Sequence, residues 1–394
     1  MEDYLPKELL SDILSKLPSK TILRCRSVCK SWFSLISTRE FQIFYLEKYN
    51  KSNPRLLMRR YDLMHDREMY SVHHDSLALT VDPDTVIEFP FNCTPCPRCY
   101  LRIIGSIDGV VCLGHKKCAY KEEKIILWNP SIRIKLPIFP PMMRIRRMLN
   151  YSVALGFGYD KVTDDYKVVR LAYNYHYSPR PQVDIYGVKT AIWRAIPFPS
   201  DFLCIYFKGS PVYLNGCVYW IMYRWVSHGW HIITQCSIMK FDVSAEMFEE
   251  IQLPEPLDDE SPINLELELF NERLIVIKPM RLQLHSRGAS KYNMWALNNY
   301  ENQNSWEEIC KISYGRIDLG RVLRIRDNGE LIMGARYGKT KIRDRNVGYY
   351  DSECRGFIME DSIYIDKYQE SLALLDVGDD VLSEDRRGAE GLNE

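Results

Sequence analysis

The hydrophobic period of this chain changes once, near Asn53-Pro54, and that change limits the available folds more than any other feature. Before it, apolar residues recur at intervals of three and four, the spacing of one helix face. After it, they alternate in short runs that end in turn residues, the pattern of strands. A 394-residue chain built this way is a small helical module followed by a large β domain.

In the helical part, Pro6 suits a first turn, and Leu9, Leu10, Ile13, Leu14 and Leu17 form an apolar stripe that Pro18 stops. Ser19 is placed to cap a second helix in which Ile22, Cys25, Cys29 and Trp32 recur. A third short helix is expected to carry Leu35, Phe41 and Phe44. Three helices of this size bury too little apolar surface to be very stable alone. At least one apolar face should therefore meet a partner or the following domain.

In the β part, Asp108-Gly109 supplies the positive backbone angle of a tight turn between Ile103-Ile104 and Val110–Leu113. Asn215-Gly216 and Asn328-Gly329 punctuate two further pairs. Strand pairs ending at Leu136-Pro137, Pro197, Pro254 and Ile309 follow one another roughly 50 to 60 residues apart, the spacing of propeller blades. The inferred fold is a degenerate β-propeller of undetermined blade number. After Leu375 the chain turns acidic and Gly-rich with no apolar period, so a disordered tail is expected.

Composition narrows the partners. The 52 basic and 52 acidic side chains cancel, so no global field favours nucleic acid or an anionic membrane. No basic start with an apolar stretch opens the chain, and no later run approaches bilayer length, so a soluble protein of the cytoplasm and/or nucleus is expected. The 12 cysteines are accordingly read as reduced thiols.

Motifs for covalent chemistry are weak. Cys93, Cys96 and Cys99, with Cys112, have zinc-like spacing but lack a second knuckle, so no metal is assigned. His73-His74 and the carboxylates Asp164-Asp165 read as solvated loop and turn residues, and Gly334 to Thr340 is one residue short of a phosphate loop. No enzyme activity and no cofactor are expected. Arg144, Arg146 and Arg147 form a local basic patch, either a binding loop or a solvated one. Tyr173, Tyr175, His176, Tyr177, Trp220, Tyr223, Trp225 and Trp230 are dense aromatics that suit either an interface or a propeller core.

The stretches Leu5–Leu10, Asp12–Leu14, Leu17-Pro18 and Leu23–Trp32, above all Val28-Cys29-Lys30-Ser31-Trp32, resemble an F-box. Gly105 to Leu113, Leu127–Ser131, Gly156–Asp160 with Asp165–Val169, and Leu214–Gly216 before Tyr219-Trp220 resemble the F-box-associated domain of the large plant F-box/kelch-like family. Asp108 stands where that family usually has Asn, and double-glycine kelch signatures are absent.

The resemblance implies the substrate-recognition subunit of an SCF-type E3 ubiquitin ligase. Its partners would be a Skp-type adaptor, through it a cullin and a RING subunit, and a substrate protein of unknown identity. It implies an F-box over residues 1–48, a linker and first strands over 49–100, the β domain over 101–375 and the tail over 376–394. By motif position, Leu5, Pro6, Leu9, Ile13, Leu17, Val28, Cys29 and Trp32 belong to the adaptor interface or the small core behind it. Arg144, Arg146, Arg147, Tyr175, Trp225 and Trp230 are the candidate substrate contacts. Alternatives are a binding protein acting outside the ligase and a self-incompatibility-type F-box protein.

Overall fold

Four helices precede the first strand: α1 (Lys7–Leu14), α2 (Ser19–Arg26), α3 (Lys30–Ser37) and α4 (Arg39–Ser52). The computed structural model describes residues 5–62, 67–75, 86–87, 101–115, 123–141, 151–174, 178–200, 205–228, 231–258, 265–280, 290–300, 305–314, 319–335, 347–348 and 363–375. The expected second helix is broken by a bend at Ser27-Val28-Cys29, and the expected third divides at Thr38. Thr38 is extended there (φ −73°, ψ 143°), and its hydroxyl accepts from the Phe41 amide, capping α4. α4 continues through Ser52, past the expected boundary at residue 48.

The strands follow in chain order. A first group holds β1 (Arg55–Asp62), β2 (Arg67–His74) and β3 (Val86–Ile87). The next holds β4 (Leu101–Ile107), β5 (Val110–His115), β6 (Ile125–Asn129) and β7 (Ile134–Ile138), then β8 (Ser152–Asp160), β9 (Asp165–Asn174), β10 (Ser178–Gly187) and β11 (Ile192–Ile196). After these come β12 (Ile205–Leu214), β13 (Cys217–His228), β14 (His231–Asp242) and β15 (Met247–Gln252), with a single helical turn, α5 (Glu255–Asp258), behind them. The last are β16 (Glu266–Phe270), β17 (Arg273–Met280), β18 (Ser290–Leu297), β19 (Trp306–Tyr314), β20 (Leu319–Ile325), β21 (Leu331–Ala335), β22 (Val347–Gly348) and β23 (Ile363–Tyr368).

Among the described residues these strands make six sheets, five of four strands and one of three. Their innermost strands neighbour one another in a closed circuit, β4, β8, β12, β16, β20, β23 and back to β4. The result is a β-propeller closed by its first and last described strands, with β23 pairing antiparallel to β1 from Arg55↔Tyr368 to Arg60↔Ile363. The segment expected to hold a linker and first strands contributes β1 to β3 to the closing sheet.

Six apolar clusters fill the six seams between neighbouring sheets. Alternation along each strand sends side chains to both seams. Val110 and Cys112 pack towards β8 and β9, whereas Val111 and Leu113 pack towards Leu57 and Tyr70. Burial on both faces explains continuous apolar runs such as Ile125–Trp128. Trp128 meets Tyr70 edge-on at 5.3 Å across one seam.

Two seams share a further link. The Trp193 indole donates to the carbonyl of Phe139, and the Trp306 indole donates to that of Gln252, each 54 residues back in the chain. In both cases the outer strand of one blade is pinned to the end of the outer strand before it. This is the physical form of the repeat read from the sequence.

Gly156 lies where the Trp220 indole of the next blade presses on β8. A Cβ on Gly156 would stand 2.3 Å from Trp220 Cζ2 and 3.0 Å from Val218 Cγ1. The indole is held in place by donating to the Leu155 carbonyl at 2.8 Å. The two sequence motifs Gly156–Asp160 and Tyr219-Trp220 are thus halves of one contact.

Aromatic and polar residues left open by the sequence are now placed. Tyr173, Trp220 and Tyr223 are buried, so these three belong to the core. His73 is buried in β2, with Nε2 2.7 Å from Ser71 Oγ, rather than in a solvated loop. Asp164 and Asp165 are not merely solvated. Asp164 accepts from Arg39 and Tyr159, and buried Asp165 accepts from the Lys189 amide. Cys112 is enclosed in a seam, where burial pushes its thiol pKa up, while Cys93, Cys96 and Cys99 lie outside the described residues. Residues 376–394 and most of the near-phosphate-loop stretch lie outside them as well.

Candidate functional site

Helix α1 carries two apolar rows. Leu10 and Leu14, four residues apart, point inward and are buried with Ile22, Leu35, Ile36, Phe41, Tyr45 and Tyr49. Leu9 and Ile13, also four apart, point outward and are 53% and 49% exposed, and Leu5, just ahead of the helix, is 48% exposed. An eight-residue helix needs only one apolar row to bury itself, so the second is surplus to folding. Exposed Val28 and Cys29 at the α2–α3 bend and exposed Phe33 on α3 add to the apolar surface of the module. Arg26 lies over the Phe33 ring at 4.2 Å.

Of the eight residues expected here, the structure leaves Leu5, Pro6, Leu9, Ile13, Val28 and Cys29 exposed. Leu17 and Trp32 are half-buried and pack against the module's core. The sequence reading missed Phe33, because a lone aromatic outside the expected stripe gave no periodic signal. Residues 5–37 hold six basic side chains and two acidic ones, and Lys7, Lys16, Lys20, Arg24 and Lys30 are exposed. The module therefore presents apolar side chains within a positively charged setting.

The helices are joined to the propeller by shared core and buried polar bonds. Ile132 of the β6–β7 turn and Leu372 and Leu375 near the end of the described chain complete the helical core. The Glu370 carboxylate accepts from the Ser19 amide and hydroxyl, both at 2.6 Å, and pairs with Arg55 at 2.8 Å. Asn50 of α4 both donates to and accepts from the Glu370 backbone. Asn129 donates to Ser371 and Ala373, and Gly109 leaves room for the same segment, since a Cβ there would stand 2.2 Å from the Gln369 carbonyl. At the start of α4, Arg39 pairs with Asp164 at 3.0 Å and donates to the Tyr159 hydroxyl at 2.7 Å, fixing the module to the β8–β9 turn.

A second polar network runs along the same end of the propeller. Lys167 bridges Asp160 at 2.8 Å and Glu246 at 3.0 Å, and Arg194 also binds Glu246. Burial alone would raise the Asp160 pKa, but bonds from Lys167, Ser244, Thr163 and Val162 outweigh it and hold the carboxyl well below the usual range. This network ties turns of two blades together.

The opposite end is formed by the far ends of the strands, and Glu123, just ahead of β6, lies on that side. Glu123 forms a two-point bond to Arg170 of β9, at 2.9 and 2.8 Å, and Asp184 of β10 completes the buried triad at 3.2 Å. Arg144, Arg146, Arg147, Tyr175 and Trp230 lie outside the described residues. Trp225 falls within β13, opposite Thr234 of β14.

Comparison with known proteins bears on both parts of the chain. A family model described as F-box-like matches residues 3–41, and one described as the F-box associated beta propeller domain matches residues 61–353. An F-box/kelch-repeat protein of Arabidopsis thaliana is 25% identical over 85% of this chain and 86% of its own length. The F-box protein CPR1 of the same plant is 23% identical, covering 78% of this chain and 73% of that protein.

Proposed function

Because the chain belongs to the F-box proteins that carry an F-box associated β-propeller domain, we propose that it is the substrate-recognition subunit of an SCF-type E3 ubiquitin ligase. In this reading the F-box helices bind a Skp-type adaptor and through it the cullin and RING subunits. The observation that carries it is the outward pair Leu9 and Ile13 on a helix already buried through Leu10 and Leu14, with exposed Leu5 just ahead of it. Apolar contacts at the centre with charge around them suit a stable protein interface, and the basic surroundings favour an acidic partner.

The propeller acts as the receptor. Its substrate site is expected on the loops of the propeller, which vary at little cost to the seams, with Arg144, Arg146, Arg147, Tyr175, Trp225 and Trp230 as the contacts to test first. The chain performs no bond making or breaking of its own. It raises the local concentration of substrate lysines beside the ubiquitin-charged enzyme, in the cytoplasm or nucleus.

The test is co-purification of the intact chain with a Skp-type adaptor and cullin, beside the variant Leu9→Asp, Ile13→Asp. Capture of both partners by wild type and loss of both from a still-folded variant supports the reading. If folded wild type captures no adaptor, the ligase role is wrong. Adaptor without cullin would identify a binding protein working outside the ligase.

A further inference from the structure

Helix α2 has eight residues, buries only Ser19 and Ile22, and begins after Pro18, which offers no capping side chain. A helix this short is marginal in water, and its first amides need acceptors. The expected cap, Ser19, is instead the first helical residue, and its own amide is bound by Glu370, 351 positions later in the chain. The acceptor is a carboxylate at the positive end of the helix, buried beside Arg55 and held in place through its backbone by Asn50. Glu370 lies two residues beyond β23, whose pairing with β1 closes the propeller.

We infer that Glu370 is a positioning residue for the F-box: it caps α2 from the far end of the chain, so that this helix takes its fixed form only once β23 has closed the ring. The bend at Val28-Cys29 and the exposed Phe33 follow α2, so the apolar surface offered to a partner is completed by the last part of the described chain. An incompletely closed propeller would then present a frayed F-box and bind its adaptor poorly. That consequence for binding rests on the function proposed above; the capping itself does not.

The experiment is amide hydrogen exchange on the full-length chain, comparing wild type with Glu370→Ala and with the milder Glu370→Gln, which keeps one acceptor oxygen. In Glu370→Ala the amides of Ile22–Arg26 should exchange at least about tenfold faster, because a hydrogen bond to a charged acceptor is worth about one to two factors of ten. Glu370→Gln should fall between the two, and strands β9 and β13 should keep their protection in both. A local cap introduced by Pro18→Ser in the Glu370→Ala background should restore protection to α2, which a loss of packing alone would not allow.

The inference is overturned if α2 keeps its wild-type protection in both Glu370 variants, if all strands loosen together with it, or if Pro18→Ser restores nothing. Adaptor affinity is measured on the same samples. Failure of wild type to bind adaptor would remove the ligase reading while the exchange data still decide the cap.

Discussion

Replacing Gly156 with Ala tests how the blades are held together. The new methyl would sit 2.3 Å from Trp220 Cζ2 and 3.0 Å from both Trp220 Cη2 and Val218 Cγ1, so one of the groups must move. Trp220 is 2% exposed, and its indole is tethered to the Leu155 carbonyl at 2.8 Å, which leaves little freedom to yield in place. Overpacking of this kind costs about 1–3 kcal/mol. Swinging the indole away also gives up its hydrogen bond, about 1 kcal/mol more. The expected loss is therefore about 2–4 kcal/mol, read from urea unfolding followed by tryptophan fluorescence and by circular dichroism.

Trp220→Leu supplies the control, because it opens the space that the methyl needs. The double variant should be more stable than the sum of the single effects by about 1 kcal/mol or more. A Gly156→Ala protein within about 0.5 kcal/mol of wild type would refute the reasoning, as would strict additivity of the two substitutions.

Other expectations follow from the same structure. Glu123→Ala leaves Arg170 buried with Asp184 as its one charged partner among the described residues and should cost about 3–5 kcal/mol in urea unfolding, more than any exposed ion pair. Leu14→Ala, at a fully enclosed site, should lose about 2–5 kcal/mol, whereas Leu9→Ala should change folding stability by less than about 0.5 kcal/mol and weaken adaptor binding instead, as calorimetric titration would show. Asp160 has a folded-state pKa below its unfolded value, so its stabilising effect is present above about pH 4 and is lost as pH falls through the depressed folded pKa. The stability gap between wild type and Asp160→Asn should accordingly be widest near neutrality and shrink in strong acid, measured by urea midpoints across that range.

Some turns could not be read locally. Asp108-Gly109 and Asn215-Gly216 announce themselves because their residue types favour positive φ, and both adopt it. Asn271-Glu272 makes the same kind of turn with φ of 49° and 56°, although Glu has no such preference. Arg133, Ala191 and Glu246 are likewise held at positive φ just before the outer strands of three blades. There the pairing of the flanking strands imposes a conformation that no local propensity favours.

The helical module shows the same division. Helical spacing found the apolar residues of α1, but a stripe of Leu9, Leu10, Ile13 and Leu14 looks alike whether one face is buried or two. Only the position of the neighbouring helices assigns Leu10 and Leu14 to the core and Leu9 and Ile13 to the outside. Ser19 read as a cap because Ser before an apolar period has that meaning, and nothing near it in sequence points to Glu370.

By itself, the sequence determined the helix-to-strand division at Asn53-Pro54, the repeating strand pairs and the family, because period, turn chemistry and motif spacing are local properties of a chain. The tertiary structure decided that β1 pairs with β23, that Gly156 receives Trp220, that Glu123 meets Arg170 and that Glu370 caps α2. Those contacts join residues from 47 to more than 300 positions apart, and nothing at either site alone specifies its partner. They form only when the propeller closes and brings the sites to within bonding distance.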